Sequence, residues 1–428
     1  MPTDDLRDLP SLAAAISQRR LLSRAAVEAA LSRYDETEPR VHAFAWLDGE
    51  RALRLADEAD RTPARGPLHG VPIGVKDIVD TAGIPTENGS VLFRGRVPDR
   101  DAALVTNLVR SGAIVLGKTV TAELAFYGPG PTLNPHDAGR TPGGSSMGSA
   151  AGVAAGVLTA AVGTQTNGSI IRPAAYCGVV GYKPTHGTVP VEGVFPFAPT
   201  LDHPGAIATT VEGCAWLVAA MAGLPLWRLW AEASAETPRF AALRTSEWDA
   251  AEDAMRARFQ ADVDALAAAG GPIEWPAPPD GLDTGPDVLL TIMSYESAHT
   301  VAPHVARDPD AVTDVAREFF ANASAVGERE YREALRERDR LIDAFERWVR
   351  PFDAVLTPPA FGEAPTPETT GSPRFCSRWS LLGAPAVTIP TGRGPHGLPL
   401  GLQLVGARGD DRRLLAAAAW AEARIAVR

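Results

Sequence analysis

A chain of 428 residues with 45% hydrophobic and 22% charged side chains has the composition of a soluble globular protein and is long enough to bury a large core. Its net charge of -11 argues against a nucleic-acid or anionic-membrane partner, and no run approaches the roughly 18 apolar residues of a membrane span. Three cysteines without C-x-x-C spacing indicate neither a disulfide framework nor a zinc site, so the expectation is a cytoplasmic protein that works on small molecules.

Apolar residues at helical spacing from Leu12 to Tyr34 and a charged-faced pattern from Leu47 to Arg61 predict a helical lead-in over residues 1–65, closed by Gly66-Pro67. In the next stretch, G-P-L-H-G-V-P-I-G-V-K-D, Val71, Ile73 and Val75 alternate as a strand does, which sends Lys76 and Asp77 to opposite sides. Asp101 to Gly112 reads as a helix, Ala113 to Leu116 as a strand and Val120 to Phe126 as a short helix, an alternation that suggests parallel pairing. A proline-rich loop from Gly128 leads to T-P-G-G-S-S-M-G-S at Thr141 to Ser149. The small side chains from Met147 to Ala161 predict one buried helix, and a short strand to Thr164 precedes a second Gly/Ser turn, Asn167-Gly168-Ser169. The two turns are expected to meet at one edge of a sheet. Turns and short strands run to Pro204, then a helix from Thr210 to Ala222 that Thr210 can cap. Residues 223–350 turn rich in Ala, Arg, Glu and Trp, with helical patterns at Ala250 to Ala269 and Glu328 to Arg350, and are expected to be a helical, substrate-defining insertion. Strands at Ala354 to Thr357, Ala386 to Pro390 and Leu398 to Val405 and a helix from Asp411 to Ile425 return the chain to its sheet, so 66–222 and 351–428 form the core.

The chemistry concentrates between Thr141 and Pro184. Gly143 and Gly144 free the backbone, and Ser145, Ser146 and Ser149 set three hydroxyls beside it. Gly-Gly-Ser-Ser is also a linker composition, but a solvated linker does not need apolar helix and strand patterns on both sides. Among the 41 basic residues only Lys76, Lys118 and Lys183 are lysines. Where arginine is the default cation, a retained lysine marks a place where a guanidinium cannot serve, and a neutral amine base is one such task. Gly144 to Gly148 also matches the G-x-S-x-G nucleophile elbow, with His186 or His203 as base, although Arg140 to Gly143 is a poor strand to precede it.

Five ordered blocks carry a resemblance that spans nearly the whole chain: G-V-P-I-G-V-K-D at 70–77, G-G-S-S-x-G-S at 143–149, G-T-Q-T-N-G-S at 163–169, C-G-V-V-G-Y-K-P-T at 177–185 and G-L-P-L-G-L-Q-L-V-G at 397–406. The chain resembles the amidase signature enzymes, serine hydrolases with a Ser-Ser-Lys triad. The resemblance implies a single α/β domain over 1–428, with one large mixed sheet flanked by helices. It implies Ser169 as nucleophile, Lys76 as base and Ser145 as relay, a cis peptide at Gly144-Ser145, and an oxyanion hole from the backbone N–H groups of Thr166, Asn167, Gly168 and Ser169. Gly144, Ser146 and Thr164 are expected to support these. No metal and no cofactor are implied; the partner is a small amide substrate, with a homodimer left open. The activity implied is hydrolysis of a small-molecule carboxylic amide to carboxylate plus ammonia or amine. The alternative is the amide-hydrolysing subunit of an amidotransferase. Four positions depart from the family pattern: Met147 and Asn167 replace glycines, Gln165 stands where aspartate is common, and the arginine after the nucleophile comes one residue late, at Arg172. Asn tolerates positive φ, so Asn167 need not spoil the oxyanion hole, and its amide could reach substrate.

Overall fold

The computed structural model describes residues 8–230 and 237–427; the acidic residues Asp4 and Asp5 and the short stretch 231–236 lie outside it. Apolar and β-branched runs give eleven strands: β1 (Phe44–Leu47), β2 (Pro72–Lys76), β3 (Ile114–Thr119), β4 (Ala160–Gln165), β5 (Val180–Lys183), β6 (His203–Ala208), β7 (Phe240–Ala242), β8 (Ile273–Glu274), β9 (Ala354–Thr357), β10 (Ala386–Arg393) and β11 (Pro399–Val405). They form one mixed sheet in the order β1-β3-β2-β4-β6-β5-β10-β11-β9-β7-β8. β3, β2 and β4 are mutually parallel, as the β/α alternation predicted, and so are β9, β7 and β8. The stretch between them, from β4 through β6, β5, β10 and β11 to β9, is antiparallel. Every residue of β2 to β6 is buried, the pattern of strands covered by helices on both faces.

Several boundaries differ from the sequence reading. The first predicted helix is two, Leu9–Ser17 and Ser23–Val41, broken where Arg19 adopts a positive φ of 54°. Leu47 belongs to β1, an edge strand too short to show an alternating pattern, and the second helix begins at Gly49 under an Asp48 cap. Val120 to Phe126 holds only one 3-10 turn, Glu123–Ala125, because Leu124 and Ala125 have φ of 52° and 59°. The small-residue helix stops at Ala154, where Gly156 (φ 75°) turns the chain toward β4. A helix at Ile171–Cys177 was not anticipated. The segment 223–350 is not helical throughout: β7 and β8 extend the sheet at its edge, and their three and two residues are below the length at which period two can be read.

The helix Met147–Ala154 packs closely because of what its glycines omit. A Cβ at Gly148 would lie 2.1 Å from Ala43 O and 2.3 Å from Val120 N, both backbone atoms, so only hydrogen fits at this crossing. That contact seats the Ser145-Ser146 turn over the ends of β2 and β4.

Candidate active site

β2 and β4 are adjacent parallel strands with Val75 opposite Val162, so their C-terminal ends lie side by side. The two Gly/Ser turns therefore meet beyond the ends of β2 and β4, the third and fourth strands in the sheet order. Open α/β sheets place their sites outside the carboxyl ends of parallel strands for the same reason. Lys76 ends β2 and is wholly buried; its Nζ lies 2.7 Å from Ser145 Oγ and 2.8 Å from Thr164 Oγ1. Burial holds its pKa well below the ordinary lysine value, and only the negative charge of Asp202 opposes this. Asp77 points the other way, toward the buried Lys118, 3.7 Å distant, and accepts from Glu87 N. Desolvation moves this pair toward neutrality, Asp77 up to about 6 and Lys118 down to about 8.

The Gly144-Ser145 peptide is cis. Ser146 knits the two turns together: its Oγ donates to Thr164 O (3.1 Å) and accepts from Thr164 N (3.2 Å), and its N–H donates to Ser169 O (3.3 Å). Arg172, buried on the helix Ile171–Cys177, donates from Nη2 to Gly144 O at 2.7 Å. Its place one residue late therefore still directs the guanidinium to the serine turn.

The second turn is held by side chains distant in sequence. Gln165 Oε1 accepts from Ile170 N (2.8 Å) and Ile171 N (3.0 Å), and its Nε2 donates to Ser380 Oγ (2.9 Å). A neutral amide thus caps the helix start, and it also supplies a donor that a carboxylate lacks. Asn167 is not among the residues of positive φ, and its side-chain amide is engaged at both ends within the protein: Nδ2 donates to Tyr127 Oη (2.8 Å) and Oδ1 accepts from Ser377 Oγ (2.6 Å). Its carbonyl accepts from Ser380 Oγ, and Thr166 Oγ1 donates to Asp202 Oδ1 at 2.5 Å. Among the described residues, the backbone N–H groups of Thr166, Asn167, Gly168 and Ser169 enter no turn, cap or side-chain hydrogen bond, and Ser169 is partly exposed. Four unused donors next to a hydroxyl at a helix start can hold an anion.

The elbow geometry is absent among the described residues. No strand precedes Gly144, Ser146 is buried, and His203 directs Nδ1 at Leu201 O (2.6 Å), with His186 edge-on to its ring. All three cysteines are buried free thiols. No helix among the described residues is long and apolar enough to cross a membrane. Sequence reasoning missed Asp202, Tyr127, Ser377 and Ser380. Nothing local distinguishes them, since they act across separations of 36 to 213 residues.

Comparison with known proteins shows the family. The Amidase family model matches residues 25–415. A glutamyl-tRNA(Gln) amidotransferase subunit from Acidothermus cellulolyticus is 32% identical over 97% of this chain and 94% of its own, and a putative amidase AmiD of Mycobacterium bovis is 30% identical over 96% and 92%. Among solved structures, an amidase superposes with a TM-score of 0.89 at 31% identity, covering 98% of this chain and 100% of the other. The peptide amidase of Stenotrophomonas maltophilia gives 0.83 at 28%, covering 98% and 97%. With its single mixed sheet and its paired Gly/Ser turns at the ends of β2 and β4, this chain belongs to the amidase signature family.

Proposed function

We propose that the protein hydrolyses carboxylic amides of small molecules through an acyl-enzyme on Ser169. The observation that carries this reading is the wholly buried Lys76 amine in contact with Ser145 Oγ, with no acidic side chain among the described residues bonded to it. A serine hydroxyl needs a base, and lysine is one only when neutral, the form that desolvation favours at this site. In the proposed sequence, Ser169 Oγ attacks the carbonyl carbon as its proton passes through Ser145 to Lys76. The N–H groups of Thr166 to Ser169 hold the oxyanion. The tetrahedral intermediate collapses by breaking the C–N bond, and the Lys76 ammonium returns the proton, through Ser145, to the departing amine. Water then attacks the ester with the same base, releasing the carboxylate and restoring Ser169.

A fluorophosphonate probe, followed by peptide mass spectrometry, should label Ser169. A label on Ser145 or Ser146 overturns the assignment. Primary and aryl amides assayed on the same preparation then define the substrate class.

A second reading follows from the relatives, one of which is named as part of an amidotransferase. In that role the same turn would release ammonia to another active site. An enzyme that turns over amides at full rate by itself supports the first reading, whereas dependence on added partner proteins supports the second.

A further inference from the structure

Thr166 opens the turn whose N–H groups are left unbonded, and among the described residues its side chain has one partner, the carboxylate of Asp202, at 2.5 Å. Asp202 lies immediately before β6, which pairs antiparallel with β4 and sets His203 opposite Gln165. Its other oxygen accepts from Phe197 N (2.9 Å) and Ala198 N (3.0 Å), so three donors fix the carboxylate. The turn is therefore held on two sides: Tyr127, Ser377 and Ser380 grip Asn167, and Asp202 grips Thr166.

The charges around this point are few. Lys76 faces Ser145 and Thr164, both neutral, while Asp77 and Lys118 answer each other and Arg172 is turned to Gly144 O. On the far side of Asp202, Glu296 of the helix Gly285–Thr300 is held by Thr200 N and Oγ1 and by Tyr331 Oη; the ring of His203 lies against Leu201 O. Among the described residues, Asp202 is the acid whose field raises the proton affinity of Lys76, and burial lifts its own pKa to about 7.

We propose that Asp202 is a positioning residue for the reaction: through Thr166 it fixes the oxyanion turn. This rests on the catalytic reading above and adds a fourth side chain to it. A turn clamped at both Thr166 and Asn167 holds its N–H groups fixed, so they need not reorganise as charge develops on the carbonyl oxygen attacked by Ser169.

Two variants of the full chain test the brace. Thr166→Val removes the hydroxyl but keeps the shape of the side chain. Its kcat should fall about tenfold or more with KM changed less than about twofold, because the turn contributes mainly in the transition state. Thr166→Ser should restore most of the loss. Unchanged kcat in Thr166→Val, or no recovery in Thr166→Ser, overturns the brace. Labelling separates the levels: an unlabelled Ser169 in the unsubstituted enzyme overturns the catalytic reading and this proposal with it, while a labelled Ser169 with an indifferent Thr166→Val overturns this one alone.

Discussion

Lys76 combines a demand for burial with a demand for reactivity. A guanidinium of similar length cannot give up its proton, and an exposed lysine would not stay neutral, so the chemistry needs an amine enclosed as this one is. In the proposed cycle the amine acts twice, as acceptor from serine and as donor to the leaving amine. Only the second task distinguishes substrates, because an alkoxide departs without prior protonation far more readily than an amine. Lys76→Ala should therefore lower kcat/KM for an amide more than for the matched ester. Lys76→Arg should be no more active than Lys76→Ala, with circular dichroism verifying the fold. An active Lys76→Arg enzyme would remove the base assignment, and equal losses on both substrates would mean that the lysine only holds charge. Because its pKa is depressed, kcat/KM should hold up well below the ordinary lysine range and fall only as pH drops through the lowered value.

Between elements, the decisive contact is the crossing of the helix Met147–Ala154 over the chain at Ala43 and Val120. Both neighbours of Gly148 are backbone, which cannot rotate aside as a side chain can. Gly148→Ala should cost on the order of 1–3 kcal/mol or more, the usual range for overpacking, and should lower activity further by tilting the Ser145-Ser146 turn off the ends of β2 and β4. Thermal denaturation together with a kcat measurement tests this, and a Tm within a degree of the unsubstituted protein would contradict it. The helices of residues 223–350 contact the catalytic core through Thr313 N, which donates to Glu123 Oε2 at 2.8 Å, and through Glu296, which accepts from Thr200 N. We expect this segment to line the acyl pocket, beside the ring cluster of Phe126, Phe197 and Phe320. A ligand-bound crystal structure with no contact from residues 223–350 would sink that expectation.

At the scale of the whole molecule, all three lysines are fully buried, which gives the chain an unusual pH response. Lys183 is pushed down to about 7 and Lys118 to about 8 by desolvation, whereas both return to about 10.5 on unfolding. Across roughly pH 7 to 9 these two groups bind more protons in the unfolded chain than in the native one and make stability rise with pH, while Asp202, lifted to about 7 in the fold, opposes them at the lower end of that range. Above about 9 the buried thiols of Cys177 and Cys376, both raised in the fold by desolvation, the second to about 12, act in the opposite sense, because the unfolded chain ionises first. Calorimetry should show Tm increasing from pH 7 to 9 at fixed ionic strength, and Lys183→Met should flatten that increase. A falling Tm over this range would show that other groups dominate.

The sequence alone determined what local chemistry can express. Alternation placed Lys76 and Asp77 on opposite sides of β2, the last three strands and the closing helix matched their apolar runs, and the ordered motifs marked Lys76, Ser145 and Ser169. The tertiary structure decided what depends on neighbours far along the chain. Parallel pairing of β2 and β4 brought the two turns together, the three-residue strand β7 formed only because β9 offered it an edge, and Gly148 became indispensable through backbone from residues 43 and 120. Asn167 is the clearest case. Its residue type permits a positive φ and a free amide, but Tyr127 and Ser377 claim both ends of that amide, and they lie 40 and 210 residues away, so no local pattern could have carried the outcome.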